Sequence, residues 1–194
     1  LEKKITKKTR AIMLINVLGI SSDLFKIRKI ADKKKIIIIE DNCESLGSTL
    51  KKKYLGTFGD YGSFSFYYSH QITSGEGGMV TCNKKEDYDI LFALRSHGWL
   101  GGTRFYKRNL KSYNTYAKQN PKLDPRYIFI NSGFNLRPTD IQAAIAHNQF
   151  KRLDTLKKFR NINKNLIIEK ISNSKKWKNQ FKFIVTPKDI DPSW

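Results

Sequence analysis

No lysine falls between Lys53 and Lys84, in a chain whose lysines and arginines number 37 of 194 residues. That stretch therefore has no side-chain amine for covalent chemistry. Cysteine is scarce as well. Two thiols, Cys43 and Cys82, cannot build a disulfide framework and suit a reducing compartment. No apolar run is long enough to span a membrane, so a cytoplasmic protein without a membrane partner is expected. Acidic residues are few, 17 against the 37 basic ones, and the net charge is +20. Such an excess raises nucleic acid as a partner through phosphate neutralisation. The lysines fall in short runs, such as residues 33–35 and 51–53, with no nucleic-acid motif among them. They read as solvated faces, and a basic nucleic-acid-binding module is kept only as a distant alternative.

What fills the lysine-free gap is SFSFYYSHQITSGEGGMV, residues 63–80. Phe64, Phe66 and Tyr68 alternate with Ser63, Ser65 and Tyr67, a period of two that predicts a strand. Ser69, His70, Gln71, Thr73 and Ser74 follow directly beyond its carboxyl end, where sites commonly lie. Gly75, Gly77 and Gly78 let backbone approach a neighbour closely.

Upstream, residues 11–17 (AIMLINV) predict a strand. Ser22 and Asp23 can cap a helix with Leu24, Ile27, Ile30 and Ala31 on one face, and residues 36–39 predict a second strand. This is a βαβ unit with a parallel sheet, its apolar strands expected to be covered by helices on both faces. Asp41 stands at the end of the second strand, where open α/β sheets place ligand-binding groups. Downstream, residues 84–97 predict a helix with Tyr88, Ile90, Leu91 and Leu94 inward. Periodicity fails over residues 98–129, which carry Arg104, Lys107, Arg108 and Lys111. Pro138 and Thr139 open a long helix, with Gln142 completing a capping box and a buried stripe of Ile141, Ala144, Ile145, Leu153, Leu156 and Phe159. Residues 181–185 (FKFIV) predict a strand.

Three ordered motifs carry a family resemblance: EDNCESLG at residues 40–47, GTFGDYGSFSFYYSHQITSGEGGMV at 56–80 and GFNLRPTDIQAAI at 133–145. They resemble the DegT/DnrJ/EryC1/StrS family of sugar aminotransferases and dehydratases. The resemblance implies an α/β fold, part of the large domain of type I pyridoxal-phosphate transferases, with a mostly parallel sheet flanked by helices. Residues 1–166 would be part of that cofactor domain, and 167–194 the start of a smaller carboxyl-terminal domain. Both ends read as cut from a longer enzyme, and the piece is expected to be inactive alone.

The resemblance also assigns roles. Asp41 would pair with the protonated ring nitrogen of pyridoxal or pyridoxamine 5'-phosphate, with Glu44 beside the ring. Ser65 would bind the cofactor phosphate. Asn135 would reach the phosphate of a neighbouring subunit, which implies a homodimer. No metal is implied, and the cysteine count excludes the iron–sulfur cluster of one branch.

Aminotransferases of this family hold the cofactor through a lysine where this chain has His70, and the lysine-free gap rules out a shifted register. Histidine there resembles the nucleotide-sugar 3-dehydratase branch of deoxysugar and lipopolysaccharide O-antigen biosynthesis. His70 would be the catalytic acid and base, since imidazole accepts and returns a proton near neutrality. The implied substrate is a nucleotide-activated 4-keto-6-deoxyhexose, with glutamate as amino donor. An inactive or regulatory aminotransferase relative is the alternative.

Overall fold

Strand β1 (Ala11–Ile15), helix α1 (Leu24–Lys34) and strand β2 (Ile37–Asp41) form the anticipated βαβ unit. In the computed structural model, residues 1–99, 115, 118–124, 127–177 and 179–194 are described. Arg104, Lys107, Arg108 and Lys111 lie outside the described residues. Of the two expected capping residues, Ser22 and Asp23, it is Asp23 that caps α1, its Oδ1 accepting the Lys26 N–H at 3.1 Å. Leu24 and Ala31 are buried on the helix, and Ile27 packs with Ala31 against Ile12, Ile36 and Ile38.

The chain divides into two compact units, Leu1–Thr81 with Asp140–Trp194, and Cys82–Thr139. In the first, a four-stranded sheet has the order β1, β2, β5 (Tyr61–Ser65), β6 (Gly78–Cys82). β1 pairs parallel with β2, and β2 parallel with β5. The predicted aromatic strand thus starts earlier and stops at Ser65. Phe64 is buried, whereas Tyr68 is 69% exposed, because Phe66 already begins a loop in which its carbonyl accepts from Ser74 N and Thr73 Oγ1.

Side chains on β2 divide cleanly. Ile38 and Glu40 face α1 and are buried, while Ile37, Ile39 and Asp41 face the other way. Register places Met13 and Ile15 of β1 and Tyr61 and Ser63 of β5 on that second face. Met13, Ile15 and Ile37 are exposed there, so among the described residues cover on both faces is not found for these strands. The single crossover helix can lie on one face only.

A second sheet joins β4 (Lys53–Tyr54), β3 (Thr49–Leu50) and β7 (Ile190–Asp191), all antiparallel. Lys51 and Lys52, which read as a solvated charge run, form the two-residue turn between β3 and β4, with φ of 50° and 66°. No strand forms at residues 181–185, where Phe181, Ile184 and Val185 are exposed. β7 instead takes the edge of β3.

The long helix is two. α3 (Asp140–Phe150) and α4 (Leu153–Asn173) are separated by a turn in which Arg152 N–H bonds the Gln149 carbonyl. Of the expected stripe, Leu153 is buried against Gly47, but Ile141, Ala144, Ile145 and Phe159 are exposed. Gln142 turns its amide to the Glu76 carbonyl at 3.0 Å. Amphipathic spacing shows which side wants burial, and not whether a neighbour meets it.

In the second unit, α2 spans Lys85–Leu94. Ala93 is buried against Ile128, and Asp89 is buried too, while Tyr88 and Ile90 lie exposed, contrary to the predicted face. The backbone beyond Gly133 ends the helix early: Phe134 N–H bonds the Leu94 carbonyl and Leu136 N–H that of Arg95. Gly98, at φ +81°, sits where any Cβ would strike the Asn131 carbonyl.

Candidate active site

The loop that leaves β2 rests on a buried polar cluster. Glu40 is fully buried; its Oε1 accepts from Phe58 N at 2.7 Å and Gly59 N at 2.6 Å, and its Oε2 from Gly56 N at 2.9 Å. Asn16 reaches across from the end of β1, its Nδ2 donating to Asn42 Oδ1 at 2.8 Å and Glu40 Oε2 at 3.3 Å. Ser45 Oγ donates to the Asn16 carbonyl. These four side chains are at most 2% exposed, and their mutual bonds fix the strand ends. Their inward placement was not legible in the sequence, since each would pass for a loop residue.

Asp41 projects from the opposite face. Its Oδ1 accepts the Cys43 N–H at 3.1 Å, and Ser63 is its register partner on β5. Burial, together with hydrogen bonding to the Asp41 carboxylate, pushes the Cys43 thiol up to about 11. Ser65, two residues along β5, lies on the same face, and its Oγ accepts the Tyr67 N–H at 3.2 Å. The hydroxyl hydrogen of Ser65 has no acceptor among the described residues.

Beyond these strand ends lies a cleft of about 190 Å³. His70 and Glu44 line it with Leu18, Ser69, Gln71, Arg160 and Trp194. Leu18 is held in the left-handed region at φ 52°, ψ 32°, a costly conformation for leucine. It presents its N–H to Glu44 Oε2 at 3.1 Å. Gln71 Nε2 donates to the Glu44 carbonyl at 2.7 Å, while Gln71 Oε1 is buried without a partner. His70 is half-buried, its backbone N–H donating to the Tyr67 carbonyl at 3.2 Å.

Trp194 is fixed from behind. Ser193 and Ser48 are both fully buried, 2.8 Å apart between hydroxyl oxygens, and Ser193 N–H donates to Ser48 Oγ at 2.9 Å. Trp194 Nε1 donates to Asn161 Oδ1 at 2.9 Å, and Lys164 Nζ lies 4.1 Å from its ring centre. Arg160 and Trp194 were absent from the residues expected at the site. They lie far along the chain from the motifs, and only the docking of α4 and β7 brings them in.

The structure therefore gathers Glu44 and His70 in one cleft and aligns Asp41 with Ser65 on one sheet face. Asn135 belongs to the second unit, exposed, with its backbone bridged to Ser96. Among the described residues, no cluster of His, Cys, Asp and Glu could hold a metal, and no helix is long and apolar enough to cross a membrane.

A mostly parallel sheet with polar groups gathered beyond its carboxyl ends defines an α/β ligand-binding fold. Residues 1–182 match the DegT/DnrJ/EryC1/StrS aminotransferase family, and the chain belongs to it. It is 39% identical over 176 residues to the GDP-4-keto-6-deoxy-D-mannose 3-dehydratase of Yersinia pseudotuberculosis, covering 89% of this chain and 43% of that protein. It is 42% identical over 114 residues to the GDP-perosamine synthase of Escherichia coli O157:H7, covering 59% and 31%. A solved structure of the E. coli GDP-4-keto-6-deoxy-D-mannose 3-dehydratase with bound hydrated PLP superposes with a TM-score of 0.79 at 33% identity. That match covers all of this chain and 47% of the other. The chain thus spans less than half the length of these relatives.

Proposed function

We propose that this chain is part of a pyridoxal- or pyridoxamine-phosphate-dependent nucleotide-sugar 3-dehydratase. Its substrate would be a nucleotide-linked 4-keto-6-deoxyhexose, in the assembly of deoxysugars for surface polysaccharide. One observation carries the reading: the side chain that lines the cleft with Glu44 is the imidazole of His70, in a stretch that holds no lysine. Residues 1–166 would belong to a cofactor-binding domain, 167–194 would begin a smaller one, and the working unit would be a cytoplasmic homodimer.

The residues present fit the cofactor. Among the described residues Asp41 accepts hydrogen bonds from Cys43 alone, which leaves carboxylate capacity suited to a protonated ring nitrogen. Ser65 retains a hydroxyl hydrogen for a phosphate oxygen. When bound, the cofactor supplies an electron sink for breaking bonds next to a ketone. Asp41 would orient the ring and keep its nitrogen protonated. Glu44, held by Leu18 N–H, would border the ring. His70 would take a proton at its imidazole and return one to the departing C3 hydroxyl oxygen. Asn135 would complete the phosphate site of a second subunit. With no lysine to tether it, the cofactor would be held by these contacts alone, glutamate serving as amino donor.

The test incubates the complete protein with pyridoxal phosphate, glutamate and a panel of nucleotide 4-keto-6-deoxysugars, weighing products by mass spectrometry. Loss of one oxygen from the sugar is expected, falling at least about a hundredfold in His70→Asn. Gain of an amine would mean a transaminase. No change across the panel would favour an inactive or regulatory subunit.

A further inference from the structure

Among the described residues Arg160 is the one guanidinium that lines the cleft, and its neighbours on α4 are already committed. Lys157 Nζ donates to the Gly47 carbonyl at 2.9 Å and pairs with Asp191 Oδ2 at 2.6 Å. Lys164 sits over the Trp194 ring. Arg160 donates through Nη1 to the Trp194 carbonyl. A guanidinium carries five N–H donors in a planar fork, so one bond to a carbonyl leaves most of it available. Among the described residues no aspartate or glutamate forms an ion pair with it. The carboxylate in the same cleft, Glu44, is turned to Leu18 N–H instead.

The other unspent group is an acceptor. Gln71 is 6% exposed, and its Oε1 is buried without a partner while its Nε2 is held by the Glu44 carbonyl. A buried acceptor left unpaired costs about 1–3 kcal/mol, which a ligand N–H or O–H would recover. The cleft thus offers a donor fork and an acceptor on its walls, with an imidazole between the sequence neighbours Ser69 and Gln71. At about 190 Å³ it lies below the ~300 Å³ at which drug-sized pockets begin, so it admits one small polar head rather than a whole nucleotide.

Resting on the activity proposed above, we infer that Arg160 is the oxyanion-recognising residue of this cleft. Its fork takes an oxyanion of a ligand that also carries a hydrogen-bond donor for Gln71. Two sources share that chemistry: the carboxylate of an amino-acid donor, and the diphosphate that links sugar to nucleoside. Trp194 is the positioning residue, since its carbonyl orients the fork and its own place is set by Ser48, Asn161 and Lys164.

The experiment measures binding, so it does not depend on turnover. The complete protein and its Arg160→Met and Arg160→Lys variants are titrated calorimetrically with glutamate and, separately, with GDP, and melted in parallel. Arg160→Met is expected to weaken one ligand tenfold or more and leave the other within twofold. Loss for glutamate identifies the carboxylate, and loss for GDP the diphosphate. Arg160→Lys, which keeps charge without the fork, is expected to recover part of the loss, with melting temperature unchanged in both variants. If neither ligand weakens beyond twofold in Arg160→Met, the inference is wrong. It is equally wrong if both weaken only together with a lowered melting temperature, since Arg160 then merely anchors Trp194. A selective binding loss in a protein that removes no oxygen from any sugar would sink the proposed activity while leaving the role of Arg160 intact.

Discussion

Glu40 and Asp41 are neighbours on β2 and serve opposite faces of the sheet. Glu40 is fully buried and binds three backbone N–H groups across residues 56–59, whereas Asp41 faces outward beside Ser63, with Cys43 as its hydrogen-bond partner. One carboxylate builds the scaffold, and the other is the one proposed to meet the cofactor.

Glu40→Ala is therefore expected to destabilise the protein by roughly 3–5 kcal/mol, because several buried N–H groups lose their acceptor at once. Urea unfolding measures it. A loss under about 1 kcal/mol would show that water enters and satisfies those donors.

The Cys43 thiol should be slow to react. Its folded value is raised to about 11 from an ordinary 9.0, so at pH 9 the folded protein holds it neutral while an unfolded chain has it half ionised. Alkylation by iodoacetamide at that pH, in a Cys82→Ser background, should run about tenfold slower or more in buffer than in denaturant. The sign for stability follows. This contribution is present below pH 9 and is lost as pH rises toward 11, because only the unfolded state releases its proton readily there. Equal rates in the two conditions would contradict the placement of Cys43 beside Asp41.

Lys52→Gly should stabilise the protein by about 1 kcal/mol. Lys51 and Lys52 both have positive φ in the turn between β3 and β4, a geometry that favours Asn-Gly and strains lysine. Lys52 is the one to replace, since Lys51 lies 3.6 Å from Asp189 and over the Phe25 ring. A thermal melt decides, and an unchanged or lower midpoint would mean that the turn is not held in that form.

Elements whose burial depends on near neighbours in sequence were legible. The cap at Ser22-Asp23 and the strand, helix, strand pattern around α1 follow from local sequence, and β2 was expected over residues 36–39 and found at Ile37–Asp41. Elements whose fate depends on distant partners were not. Ile141 and Ile145 carry a helical apolar stripe and are exposed all the same. Residues 181–185 look like a strand but lack the edge that Ile190 and Asp191 occupy. Glu44 and His70 were read from motifs and do share a cleft. Asn16, Glu40 and Arg160 escaped notice, because a polar residue facing inward gains its meaning only from the group it meets across the fold.

The sheet face that bears Asp41 and Ser65 is the one on which Met13 and Ile15 are 60% and 64% exposed. Asp41 there is half-buried at the edge of an open face, and at the limit of bulk water a carboxylate attracts a cation at 4 Å by about 1 kcal/mol. Under a protein layer the same pair would reach about 4 kcal/mol. Covering this face would therefore act as a gain control on the carboxylate, strengthening its grip on charge without moving an atom of it.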